Sequence, residues 1–298
     1  MNFESGFLLV NKPKNMTSSS VVLEVKKLIK KKIGHTGTLD KFAEGLLILP
    51  FGDCTHFSSI FLEMEKKYSA EIEFGKATDS GDIDGKILEE WDFEKIHSYY
   101  QFHLENIIRE IDKIQDIKKQ TPPKISALKI NGVRQAELFR KGVEFESISR
   151  EISISNFFYS NLSAKGFSMS LTVSSGTYIR KLIMDLFENT GLPMFISKLI
   201  RTGIGNTDLS ESNLLESIKE GKYSVKKIEE IIDIASVLID KKEETLVSHG
   251  GYINILDPNT SKYGFLLKNE KQEIVAWCDF SGKKSHLPYK YNKVFVCV

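Results

Sequence analysis

The sequence has 298 residues, 41% hydrophobic and 27% charged, a globular balance with enough apolar material for a sizeable core and, at this length, about two domains. Its 41 Lys and Arg against 40 Asp and Glu leave a formal net charge of +1, which excludes a globally basic nucleic-acid coat but leaves room for a local basic face. Cys54, Cys278 and Cys297 are far apart and odd in number, so a disulfide framework or a CxxC metal clip is excluded and a reducing compartment is expected.

In chain order, the N-terminal MNFESGFLLVNKPK carries an acid where a secretory leader has basic residues. The longest apolar run, Gly45 to Phe51, falls well short of the roughly 20 residues of a membrane span. A cytoplasmic protein without membrane contact is expected. Phe7 to Val10 reads as a short strand ending in Asn-Lys-Pro. Thr17-Ser18-Ser19 offers a helix N-cap, and Val21, Val22, Val25, Leu28 and Ile29 follow at helical spacing. Lys26, Lys27, Lys30, Lys31 and Lys32 crowd the other face and last turn, where cations suit the helix dipole, and Gly34 is expected to stop the helix.

Tyr68, Ala70, Ile72 and Phe74 alternate with polar residues, as do Phe167, Met169, Leu171 and Val173, so both stretches are predicted strands; Lys293 to Val298 alternates less cleanly. After Ser174-Ser175-Gly176, Tyr178, Ile179, Leu182, Ile183 and Leu186 predict a helix. Thr207 to Asp240 reads as helical and highly charged. Beyond Lys241, Gly-Gly, Asp-Pro-Asn and Ser-Gly turns separate short β runs, a small β-rich unit expected to dock on the main body. Strands and helices lack a regular βαβ beat, so the class is α+β, divided into residues 1–240 and 241–298.

Several motifs fail. His103-Leu104-Glu105 supplies half of a zinc-deaminase signature, but the later Cys pair is missing. Ser80, Asp82, Asp84 and Gly85 resemble half a calcium loop, yet Trp91 stands where the closing Glu belongs, which leaves an Asp/Gly-rich turn. No phosphate-binding GxxxxGK[ST], no GxGxxG after a strand and no GxSxG elbow occurs.

One segment stands apart: Gly34-His35-Thr36-Gly37-Thr38-Leu39-Asp40-Lys41-Phe42-Ala43-Glu44-Gly45, a glycine-punctuated loop between a basic helix and an apolar run. By residue type alone Asp40 is as readily a turn aspartate, and His35 a structural histidine. GHTGTLDKFAEGLLILPFG, however, closely resembles the signature of the TruB family of tRNA pseudouridine-55 synthases. In the family's order, NKPKNMTSSSVV, KKYSAEIEFGKATDSGDIDG, QTPPKISALKINGVRQAELFRKG, SSGTYIRKLIMDLFENTG and LIRTGIG resemble its further motifs, from about Phe7 to Gly205. Lys41, Glu44, Ile125 and Ile200 depart from the usual pattern, and none is the nucleophile. The tail loosely resembles a PUA-type RNA-binding module.

The resemblance implies a pseudouridine synthase fold: a mixed, mostly antiparallel central sheet flanked by helices, with a small PUA-like domain. It implies isomerisation of uridine-55 in the T loop of tRNA, with Asp40 as nucleophile, Arg180 as its ion-pair partner, Tyr68 stacking on the uracil and Leu199 as the apolar wall. His35 is expected to fill the space vacated by the flipped base or to support the loop. Candidate RNA contacts are Lys12, the Lys26 to Lys32 run, Lys129, Arg134, Arg140, Lys141 and Arg201, with the third motif as a flexible clamp. The reaction breaks the C1′–N1 bond, turns the uracil and joins C1′ to C5. Nothing is oxidised and no group is imported, so no cofactor and no metal is expected. The leaving base becomes the acceptor, so one carboxylate suffices where glycosidases need two. The expected partner is the T-arm stem-loop of tRNA and the expected state a monomer. An RNA-folding chaperone and a guide-RNA-dependent subunit of a larger particle are the competing readings.

Overall fold

Alternating and continuous apolar runs settle into one large sheet. In the computed structural model, which describes residues 4–125, 129–130, 132–145, 147–255, 261–280 and 289–295, the strand order is Ile154–Ser163, Gly166–Val173, Lys66–Phe74, Met194–Ile204, Glu44–Phe51, Gly6–Lys12 and Asn213–Leu214, with Thr207–Asp208 folded back on Met194–Ile204. Most neighbours are antiparallel. Met194–Ile204 with Glu44–Phe51 and Gly6–Lys12 with Asn213–Leu214 are the parallel pairs. The expected mixed, mostly antiparallel α+β sheet is what the chain forms.

Phe7 to Val10 and Leu46 to Phe51 run as unbroken apolar stretches because both faces of their strands are covered. Leu8, Val10, Leu47 and Leu49 pack under Val21 and Val25 of helix Ser18–Ile29 and under Leu215 and Ile218. Phe7, Leu9, Leu46 and Ile48 face the opposite way, into a core with Phe57, Ile60 and Phe61. Lys66–Phe74 and Gly166–Val173 alternate because one face alone is buried, against helices Phe93–Asp112 and Ile179–Thr190.

The tail forms a second sheet in the order Ala235–Leu238, Phe265–Lys268, Ile274–Phe280, Tyr289–Val294. Its first strand comes from ahead of Lys241. Leu266, Trp277 and Phe295 enter the same core as Phe7, Phe57 and Phe61, with the Trp277 and Phe57 rings 4.9 Å apart. The two sheets therefore share apolar packing.

Two expectations are corrected. The helix capped by Thr17 ends at Ile29, not at Gly34: Lys30 takes the left-handed conformation at φ 55°, and Ile33 is drawn into pairing with Phe51. Thr207 to Asp240 is not a helical layer. It holds short turns, the helix Leu215–Lys219 and strands at both ends. Gly221 at φ +76° breaks the chain there, and Ile231, Ile232 and Ile234 are individually buried rather than aligned on a helical stripe.

Candidate active site

The loop that carries Asp40 is held from both sides. Thr17 caps the first helix, accepting a bond from the Ser20 N–H. That frees the neighbouring Ser18 hydroxyl, which is buried, for Leu39: it accepts from the Leu39 N–H at 2.8 Å and donates to the Leu39 carbonyl at 3.1 Å. Lys12, also buried, donates through Nζ to the carbonyls of Pro13, Met16 and Lys41 at 3.0, 2.5 and 3.4 Å. On the far side Arg201 donates to the carbonyls of Leu46 at 2.8 Å and Gly37 at 3.1 Å. Gly45 sits at φ +110°, where a Cβ would lie 2.4 Å from the Arg201 carbonyl; only glycine lets the loop run so close to the Met194–Ile204 strand. The loop is thereby held at Leu39 by Ser18, at Lys41 by Lys12, and at Gly37 and Leu46 by Arg201.

Arg180 meets this loop from the first turn of helix Ile179–Thr190. Its Nε donates to Asp40 Oδ2 at 2.8 Å, Nη1 to the Ser80 carbonyl at 2.8 Å and Nη2 to the Ile125 carbonyl at 3.1 Å. The Arg180 side chain is 6% exposed, while that of Asp40 is 43% exposed. The guanidinium is thus buried and bonded through each of its three nitrogens, and the carboxylate it orients is open to an incoming group.

A second carboxylate stands beside the pair. Asp82 Oδ2 lies 3.5 Å from Arg180 Nε. Its Oδ1 accepts from the Ser80 hydroxyl and the Asp84 N–H. Burial pushes the Asp82 carboxyl above its ordinary range, and the Asp40 charge adds to that, while Arg180 and the two hydrogen bonds pull it down. The TDSGDIDG stretch is a turn, as its composition indicates, but one that turns a carboxylate inward. Nothing in the sequence separates Asp82 from its neighbours Asp79 and Asp84. Ser18 was equally hidden among the capping residues.

Tyr68 lies opposite Arg201 across the Lys66–Phe74 and Met194–Ile204 strands, and Leu199 lies opposite Ala70. Cross-strand partners share a face, so Tyr68, Leu199 and Arg201 line one side of the sheet. Tyr68 is half-buried and packs on the core that contains Leu39, Phe42 and Leu199. His35 is half-buried with Nδ1 unpaired. Burial and then the neighbouring Arg201 charge lower its proton affinity, which favours the neutral ring. Among the described residues no group of three or more His, Cys, Asp or Glu side chains is placed to hold a metal ion.

Residues 25–179 match the family model described as TruB family pseudouridylate synthase, N-terminal domain. The chain belongs to the TruB family. A tRNA pseudouridine synthase B of Leptospira interrogans serogroup Icterohaemorrhagiae is 42% identical over 294 residues, 98% of this chain and 94% of that protein. A protein of the same name from Borrelia garinii is 32% identical over 296 residues, 98% of this chain and 100% of its own length. Among solved structures, that of a Cbf5–Nop10–Gar1 complex superposes with a TM-score of 0.70 at 20% identity, over 99% of this chain and 86% of the matched one. An H/ACA ribonucleoprotein bound to a substrate RNA containing 2′-deoxyuridine gives 0.66 at 19%, over 100% and 87%. These likenesses show the pseudouridine synthase fold.

Within this TruB scaffold the expected RNA contacts divide by placement. Lys12 and Arg201 are buried, with Lys12 donating to the Lys41 carbonyl and Arg201 to those of Leu46 and Gly37. Lys129 and Arg134 pair across a short hairpin, and their side chains, like that of Arg140, lie outside the described residues. Lys141 is exposed and ion-paired with Glu137. Lys30 and Lys32 are exposed, have no acidic partner within 4 Å among the described residues, and line a cavity of about 520 Å³ with Lys31, His56, Asp53 and Glu4, the last ion-paired with Lys31.

Proposed function

We propose that this TruB protein isomerises uridine-55 in the T loop of tRNA to pseudouridine, with Asp40 as the nucleophile acting on a uridine flipped out of the RNA. The observation that carries this reading is the Asp40–Arg180 pair: a partly open carboxylate held at 2.8 Å by a buried guanidinium, on a loop pinned by Ser18, Lys12 and Arg201. Relatives named tRNA pseudouridine synthase B, aligned along nearly the whole chain, support tRNA as the substrate.

The geometry suits the chemistry. A nucleophile held in one orientation needs little further ordering at the moment of attack. Covalent attachment lets the C1′–N1 bond break while the base is retained. The uracil then presents C5, the C1′–C5 bond forms, Asp40 departs, N1 gains a proton and the C5 proton leaves to solvent. In this reading Tyr68 stacks on the flipped base against Leu199, which offsets part of the cost of extraction, a few kcal/mol. Neutral His35 serves as a wall of the loop. We assign residues 1–240, apart from the strand Ala235–Leu238, to the catalytic domain, and 241–298 together with that strand to a PUA-like RNA-binding unit, in a cytoplasmic monomer whose RNA contacts include Lys129 and Arg134.

Incubation with a T-arm stem-loop transcript, followed by mapping of pseudouridine, tests the reading. One product at the position equivalent to 55 is expected. A product elsewhere would assign a different substrate, and RNA bound without conversion would favour the chaperone reading.

A further inference from the structure

Gln120 is buried, 5% exposed, at the end of the short strand Lys119–Gln120. That strand pairs with Arg150–Glu151 and closes the neck of the segment that runs from 121 to 149. The Gln120 carboxamide meets both backbone groups of a single distant residue. Its Nε2 donates to the Tyr178 carbonyl at 3.0 Å, and the Tyr178 N–H donates to its Oε1 at 2.8 Å. Tyr178 is the N-cap of helix Ile179–Thr190, and its own side chain bonds none of the helix amides. The clasp from Gln120 holds both backbone polar groups of this helix start. Arg180 follows two residues later, and its Nη2 donates to the carbonyl of Ile125, five residues beyond Gln120. Two ties to the 120–125 stretch frame the guanidinium that orients Asp40.

We infer that Gln120 is a positioning residue for the reaction: its amide locks the first turn of helix Ile179–Thr190 and so sets where Arg180 stands against Asp40. Asp40 and Arg180 enter here in the roles proposed above. A carboxamide is suited to the task because it presents one donor and one acceptor side by side to a backbone C=O and N–H. A protonated carboxylic acid presents the same pair, whereas a carboxylate presents acceptors alone and faces the Tyr178 carbonyl without a proton. Gln120→Glu is thus a reversible version of the clasp, competent when protonated and broken when ionised. Burial and the facing carbonyl both favour its neutral form, so it protonates at a higher pH than an ordinary glutamate.

The test is single-turnover conversion of the T-arm stem-loop at saturating enzyme, together with RNA affinity and thermal melts, for the unaltered protein, Gln120→Ala and Gln120→Glu at pH 8 and pH 6. Gln120→Ala is expected to slow the reacting step about 10- to 100-fold, the scale of an ångström-level misplacement, with RNA affinity within about threefold. Gln120→Glu is expected to be as slow as Gln120→Ala at pH 8 and to speed up at pH 6 several-fold more than either of the other two proteins does. A Gln120→Ala rate within about twofold of the unaltered protein overturns the inference. So does a Gln120→Glu protein that is folded at both pH values yet tracks Gln120→Ala throughout, or a loss confined to RNA affinity. If Gln120→Ala does not fold, the pH response of Gln120→Glu alone decides. Failure of the unaltered protein to convert the RNA, or an active Asp40→Asn, counts instead against the assignment of Asp40.

Discussion

Burial pushes the Lys12 ammonium down from its ordinary 10.5 to about 8, against the pull of the Asp40 and Glu44 charges. Its three carbonyl partners are satisfied best by the charged form. Two opposite trends follow. The folded-state value lies below the unfolded one, so the cost of burying the charge is fully present below about pH 8 and is relieved as pH rises from there towards 10.5. This group's contribution to stability therefore grows with alkalinity, while the clamp on the Asp40 loop weakens. The single-turnover rate is expected to fall with an alkaline limb near pH 8, and Lys12→Met to be slower throughout and to lack that limb. A rate profile that stays flat from pH 7 to 9 in the unaltered protein would contradict this role. Other residues of the site differ in how far they can be read in advance. Asp40 and Arg180 are legible only through the motifs around them, since neither residue type marks its own burial or partner. Asp82 and Ser18 are not legible at all. Their roles depend on a turn and a helix start that face the site only after the sheet has formed.

At the scale of elements, what could be read followed what the periodicity encodes. Lys66–Phe74 and Gly166–Val173 are strands with one face buried, so their alternation is clean. Helix Phe93–Asp112 is hidden in the sequence, because Phe93 and Phe102 are exposed on it and blur the stripe of Ile96, Ile107 and Ile111. The charged span after Thr207 misled for the reverse reason. Its acids cap short turns, as Asp208 and Glu211 do for one another, rather than line a long helix. The seam between the two sheets gives a direct measure of how packing holds them together. Trp277 is 9% exposed, lies against Phe57 and donates its indole N–H to the Tyr263 carbonyl. Trp277→Ala removes a large buried ring and is expected to cost about 3–5 kcal/mol of stability, measured by urea unfolding. The single-turnover rate of the folded fraction should remain within about twofold. A cost below about 1 kcal/mol would mean that the seam contributes little.

Across the whole molecule, a net charge of +1 conceals an uneven surface. Lys30 and Lys32 face one cavity whose His56 is held below its usual proton affinity, by burial first and then by the charges of Lys293 and Lys32. The strand Glu44–Phe51 separates this end of the sheet from the Asp40 loop, a distance of roughly 23 Å at about 3.3 Å per residue. An RNA contact here lies beyond the nucleotides at the site. Replacing Lys30 and Lys32 by Gln should weaken binding of full-length tRNA and lower the steepness of its salt dependence by about one to two charges, while leaving conversion of the isolated stem-loop unchanged. Equal effects on both RNAs, or on neither, would exclude this face from tRNA binding. The central claim remains the carboxylate of Asp40. Its most direct test is tritium release from T-arm RNA carrying 5-tritiated uridine, compared between the unaltered protein and Asp40→Asn at matched RNA occupancy. Full release by the former and none by the latter, with RNA affinity kept within a few-fold, is the expected result; substantial release by Asp40→Asn would contradict the account.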